Sequence, residues 1–78
     1  MEELVRYIVE NLVSNKDAVK ITSESDNNEV TIKVVVAKED MGKVIGKGGK
    51  IAQSIRAIVK TASSQEESKS RYFVKFEE

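Results

Sequence analysis

This sequence predicts an α+β fold of two layers: a three-stranded mixed sheet covered on one face by three helices, in the order α-β-β-α-α-β. Three observations carry that expectation. Apolar residues recur at three- and four-residue spacing near the N-terminus and again over residues 50–62, the pattern of helices with one buried stripe. Apolar and polar residues alternate over residues 19–25, 30–37 and 71–76, as half-buried strands do. All four glycines fall within eight residues and proline is absent, so one short segment holds most of the chain's freedom to break regular structure.

The first helix is expected over residues 2–14. Leu4, Val5, Ile8, Val9 and Leu12 form its apolar face, and Glu2 and Glu3 occupy the first turn, where the helix dipole favours negative charge. Residues 19–25 follow as a short strand, closed by the polar turn Asp26-Asn27-Asn28. Val30, Ile32, Val34 and Val36 then alternate with Thr31, Lys33, Val35 and Ala37 in a second strand, close enough to the first to form a hairpin. Asp40 stands where an N-cap would start a short helix over residues 41–45. Beyond the glycines a further helix is expected over residues 50–62. Its apolar face, about 120° wide, carries Ile51, Ala52, Ile55, Ile58, Val59 and Ala62, with Ile55 and Ile58 in the core. Residues 63–70 contain no apolar side chain and read as a loop. The last strand puts Tyr72, Val74 and Phe76 on one face, and its aromatics, Phe73 included, are expected in the core. Residues 38–70 leave ample length for a crossover that returns the chain parallel to the second strand.

Seventy-eight residues are enough for one domain, expected over 1–78, and too few for two. Without cysteine there is neither a disulfide nor a thiolate metal site, and without histidine the commonest general base is missing. The scattered carboxylates form no catalytic motif, so an enzyme is not expected, nor a cofactor or metal. No apolar run approaches 18 residues and no basic leader precedes a hydrophobic stretch, which favours a cytoplasmic protein with no membrane partner. The formal net charge is zero, yet the charge is segregated. Residues 38–60 hold six basic and two acidic side chains, a net +4, and the remainder holds seven basic and eleven acidic, a net −4.

The basic middle contains the glycines, in Met41-Gly-Lys-Val-Ile-Gly-Lys-Gly-Gly-Lys-Ile51. A glycine loop interleaved with lysines and followed by a helix is suited to a polyanion. A Walker-type loop is excluded, because three residues, not four, separate Gly42 from Gly46-Lys47, and Gly48 follows that lysine where Ser or Thr is required. A dinucleotide fingerprint is excluded because Ile51 takes the place of its third glycine and a helix, not a strand, precedes the loop.

The run Val44-Ile45-Gly46-Lys47-Gly48-Gly49-Lys50-Ile51, followed by Ala52 and Ile55, resembles the KH-domain signature V-I-G-x-x-G-x-x-I, with the G-x-x-G loop at residues 46–49. The element order is similar to the type II, bacterial arrangement, whose variable loop would be residues 63–70. In length and opening helix the chain resembles the small stand-alone bacterial KH proteins of the KhpA/YlqC type, and the resemblance covers essentially the whole chain. It implies single-stranded RNA as ligand, and a role as RNA chaperone or post-transcriptional regulator. It also implies a homodimer and pairing with a larger KH-domain RNA-binding protein; an alternative role is therefore that of a dimerisation and recruitment module. By resemblance, Gly46, Lys47, Gly48, Gly49 and Lys50 meet the phosphates, with Lys43 and Arg56 nearby. Val44, Ile45, Ile51 and Ile55 contribute to an apolar groove or its floor, with residues 34–37 along the strand side. KH loops clamp the backbone of about four nucleotides.

Overall fold

The computed structural model describes residues 1–65 and 70–78 and has the predicted element order. Helix α1 spans Glu2–Glu10, strands β1 and β2 span Lys20–Asp26 and Glu29–Val35, helices α2 and α3 span Met41–Ile45 and Lys50–Ser64, and strand β3 spans Arg71–Glu77. Short 3-10 turns at Lys16–Ala18, Lys38–Asp40 and Lys47–Gly49 join them.

β2 is the central strand, antiparallel to β1 and parallel to β3. The hairpin turn is two residues long: Asp26 pairs with Glu29, and Asn27 and Asn28 adopt φ of 49° and 68°. Two consecutive positive φ values match the twist of a tight hairpin, and asparagine tolerates them better than other side chains. The parallel return of β3 requires the crossover through α2 and α3.

Register decides which residues meet the helices. Ile21, Val34 and Phe76 lie in one row across the inner face, and Ser23, Ile32 and Val74 in the next. Ile21, Ile32, Val34 and Val74 are buried there against Val5 and Val9 of α1, Val44 of α2, and Ile55 and Val59 of α3. The opposite face carries exposed Thr22, Lys33 and Lys75 in one row and Glu24, Thr31 and Phe73 in another, with Thr31 half-buried.

Several expectations are corrected. Helix α1 ends at Glu10, not at residue 14: Asn11 turns its side-chain amide onto the Tyr7 carbonyl at 2.7 Å. Beyond it, the amides of Ser14 and Asn15 leave the helix to donate to Asp40, each at 3.0 Å. Asp40 therefore is not the side-chain cap of α2. It is fully buried, and its carboxylate ties the end of the α1 segment to the start of α2. Helix α3 runs two residues further than expected, so Ser63 and Ser64 are helical, and Gln65 forms a turn. The rest of the expected variable loop, residues 66–69, lies outside the described residues. Ile58, expected in the core, is 44% exposed, because it sits at the margin of the stripe that Ala52, Ile55 and Val59 bury. Phe73 is 46% exposed, because strand parity puts it opposite Val74.

Candidate nucleic-acid interface

The glycine loop connects α2 to α3 in four residues. The Gly46 amide closes α2 on the Gly42 carbonyl at 2.9 Å, and a single turn follows in which Gly49 donates to Gly46 at 3.1 Å. Gly46 adopts φ 77° and ψ 170°, a region that only glycine occupies without strain. A Cβ there would lie 2.6 Å from Ile51 Cγ1 and 2.9 Å from the Ile51 amide nitrogen. Gly46 is therefore required by the packing of Ile51 onto the loop. Gly48 and Gly49 also have positive φ, 65° and 78°, but a Cβ at either would meet nothing within 4 Å. These two bare positions form the open tip, where another molecule's backbone can approach.

Lys47 and Lys50 flank that tip, both exposed, and neither forms an ion pair among the described residues. Helix α3 begins at Lys50 with no side-chain cap; the Lys50 amide donates to the Lys47 carbonyl, and the amides that follow it point toward the tip. Fifteen residues of helix stand behind those donors, so the positive end of the dipole faces the tip.

The other expected site residues divide. Ile45 and Ile51 are half-buried and pack on the core from beneath the loop. Val44 and Ile55 are fully enclosed, at 0% and 1% exposure, and support the loop without offering surface to a ligand. The ammonium of Lys43 is committed elsewhere: it pairs with Asp40 at 3.4 Å and donates to the Ser14 hydroxyl. The donors of Ser14 and Asn15 hold the Asp40 carboxyl below the ordinary carboxylate range, and Lys43 adds to this.

Arg56 reaches from α3 across to β3. Its Nε and Nη2 both donate to the Val74 carbonyl at 3.2 Å, and its guanidinium lies over the Phe76 ring, 5.6 Å from the centroid. Two of its five N–H groups are thereby used. This contact also corrects the strand side of the groove. Residues 34–37 include buried Val34 and Val36 of or beside the central strand, whereas β3 is the edge strand beside α3. Arg71 donates, and Glu77 accepts, toward the β2 side of the sheet. The alternate residues Val74 and Phe76 thus turn their main-chain groups to the outer edge.

Three features escaped the sequence reading. Lys60, judged a solvated helix residue, shares with Arg56 the α3 face beside the β3 edge, a placement that i, i+4 spacing signals. Phe73 and Arg71 form the other rim; strand parity alone puts them on the face opposite Val74. Gly42 lies inside α2 without positive φ, and a Cβ there would meet no atom within 4 Å. Its missing side chain answers no demand of this fold. Among the described residues there is no cluster of acidic, histidine or cysteine side chains able to hold a metal, and no helix is long and apolar enough to cross a membrane.

The family model described as KhpA/KhpB, KH domain, matches residues 2–76. The chain is 50% identical over 66 residues to the RNA-binding protein KhpA of Caldanaerobacter subterraneus, covering 85% of this chain and 88% of that one. It is 46% identical over 71 residues to the protein of the same name in Listeria monocytogenes, covering 91% and 93%. To that of Chlamydia trachomatis it is 35% identical over 66 residues, covering 85% of each chain. No solved structure matches significantly.

Proposed function

We propose that this chain, which belongs to the KhpA/KhpB family of KH domains, binds single-stranded RNA by clamping the sugar-phosphate backbone at the Gly48–Gly49 tip. The observation that carries the reading is the conjunction at that tip: two glycines with open space above them, Lys47 and Lys50 beside them, and the N-terminus of α3, which no side chain caps. Gly46, Ile45 and Ile51 hold the tip in place, and Val44 and Ile55 fix it to the core. Arg56 and the β3 edge supply donors and acceptors for base edges, which a duplex would hide. An unstructured RNA should therefore bind at least tenfold more tightly than a hairpin stem of equal length. Equal affinity for the two would overturn the reading. If two to four phosphates are engaged, log K against log salt should have a slope of roughly −1.4 to −2.8.

Two finer statements belong to the same reading. The protein acts in the cytoplasm as an RNA chaperone or post-transcriptional regulator, its single domain spanning 1–78 and its variable loop following α3. It also self-associates and pairs with a larger KH-domain RNA-binding protein. The feature that favours association is the apolar patch on the α1–α3 side, where Leu4, Ala57, Ile58 and Ala62 line one depression away from the loop. A two-fold dimer built on this patch would bury each Ile58 against the same patch of its copy. Ile58→Glu should then give a monomer by light scattering while leaving a four-nucleotide RNA bound as before. An unchanged mass would remove this surface as the interface.

A further inference from the structure

The sheet has two edges, and β1 forms the one away from β3. Main-chain direction can be followed across the sheet. The Asn28 carbonyl and the Val36 amide both bond toward β3, so even-numbered residues of this segment turn that way and odd-numbered residues turn to β1. The register, with Asp26 opposite Glu29 and Lys20 opposite Val35, then commits the main-chain groups of Lys20, Thr22, Glu24 and Asp26 to β2. Those of Ile21, Ser23 and Ser25 point out of the sheet, and among the described residues no main-chain partner meets them. The helical layer covers only part of this edge. Ile21 is buried, but Ser23 and Ser25, on the same face of the sheet, are exposed. Strand β1 contains no glycine or proline and pairs with β2 without a bulge, so it has none of the interruptions that protect an edge from pairing.

We propose that this edge pairs antiparallel with the β1 edge of a second copy, in the register centred on Ser23, joining two sheets into one. That register overlaps the whole of Lys20–Asp26, and its two-fold axis passes through a residue whose main-chain groups point outward. Ser23 exchanges hydrogen bonds with Ser23 of the copy, and Ile21 with Ser25 of the copy. The side chains then complement themselves. On the outer face Lys20 falls opposite Asp26 of the copy, once on each side of the axis, and Thr22 falls opposite Glu24. Lys20 and Asp26 are exposed, and neither is in an ion pair among the described residues. A slip toward the hairpin turn would set Glu24 against Glu24, like charges directly opposite, and the reverse slip leaves Ser25 and Asp26 outside the ladder. The two-fold also sets the buried Ile21 of each chain against the exposed Ser25 of the other, so the covered half of one strand meets the open half of its copy. Hydrogen bonds and exposed ion pairs with little apolar burial make a weak contact, with Kd of about 1 mM. It does not form between dilute chains, and so leaves the light-scattering expectation for Ile58→Glu unchanged. It matters where copies are already held together, at effective concentrations that are roughly millimolar. It depends neither on the RNA reading nor on the α1–α3 patch.

The test follows amide NMR signals of the Ile58→Glu chain, which lacks the other apolar contact, from roughly 50 μM to 2 mM. The amides of Ile21, Ser23 and Ser25 should shift with concentration, half-way at about 1 mM, while those of the glycine loop stay fixed. Lys20→Asp and Asp26→Lys, each added to that chain, set like charges opposite one another and should each weaken the contact roughly tenfold or more. Both positions are exposed, so the folded spectrum should survive. An equal mixture of the two variants sets two lysines of one chain against two aspartates of the other, and should restore the shifts. The double exchange Lys20→Asp/Asp26→Lys within one chain should restore them as well. Edge amides that do not move up to the highest concentration overturn the proposal. Shifts that survive both single variants overturn the register. A loss in both that neither the mixture nor the double exchange restores would show that these charges serve the fold or a different partner, and would overturn the pairing with a second copy.

Discussion

Replacing both residues at the tip, Lys47→Asp with Gly48→Asp, removes one positive charge and adds two negative ones where phosphate is proposed to approach. The structure separates the folding effect from the binding effect. Lys47 is exposed and outside any ion pair among the described residues, so its exchange should cost no more than about 0.5 kcal/mol. Gly48 has φ 65° and ψ 18°, a left-handed conformation that aspartate visits at a cost of about 1 kcal/mol, and a Cβ there meets nothing within 4 Å. The fold should survive. A unit charge about 6 Å from a phosphate in water interacts by roughly 0.7 kcal/mol, and screening at physiological salt about halves this. A three-charge change acting on one phosphate then amounts to about 1 kcal/mol, and on two phosphates to about 2 kcal/mol, or roughly 30-fold in affinity. Fluorescence anisotropy with a labelled unstructured RNA, alongside thermal melting, measures both effects. A variant that melts within a few degrees of wild type and binds RNA with unchanged affinity would refute the phosphate clamp. A variant that unfolds would instead refute the open geometry assigned to Gly48.

Gly46→Ala should behave oppositely. A side chain in its glycine-only backbone region and against Ile51 should cost about 2–6 kcal/mol, lowering the melting temperature sharply and RNA binding with it; a stable variant would mean that Ile51 repacks freely. Gly42→Ala should stabilise α2 by up to about 1 kcal/mol, because nothing occupies the space of its Cβ, and denaturant titration would show it. If that bare helix surface admits RNA, the same variant binds more weakly, and a gain in stability with unchanged affinity would exclude Gly42 from the interface. The Asp40 carboxyl has a native pKa held below its ordinary value near 3.8, so its contribution is complete above that value and is lost as pH falls through the lower native one. Asp40→Asn should therefore melt below wild type at neutral pH, with the gap closing below pH 3.8; a gap independent of pH would show that the charge is immaterial.

What the sequence determined by itself was local in origin. The spacing of apolar residues set the type and order of α1, β1, β2, α2, α3 and β3, because a helix or strand must bury one stripe or one face wherever it packs. The clustered glycines located the loop, because only glycine accepts the backbone found at residues 46, 48 and 49 without strain. The tertiary structure decided what depends on neighbours distant in the chain. Asp40 has the sequence context of a helix cap, but its buried carboxylate finds main-chain donors 25 and 26 residues away, at Asn15 and Ser14. Lys43 is drawn into that cluster and away from the loop, a diversion that no spacing rule records. Which glycine is held by packing and which two are left open depends on where Ile51 rests. The groove's strand side depends on β3 being the edge, because strand order is set by a crossover and not by alternation. Ile58 and Phe73 show the same limit: periodicity marks a residue as apolar and assigns its face, but only the neighbouring elements determine whether anything covers it.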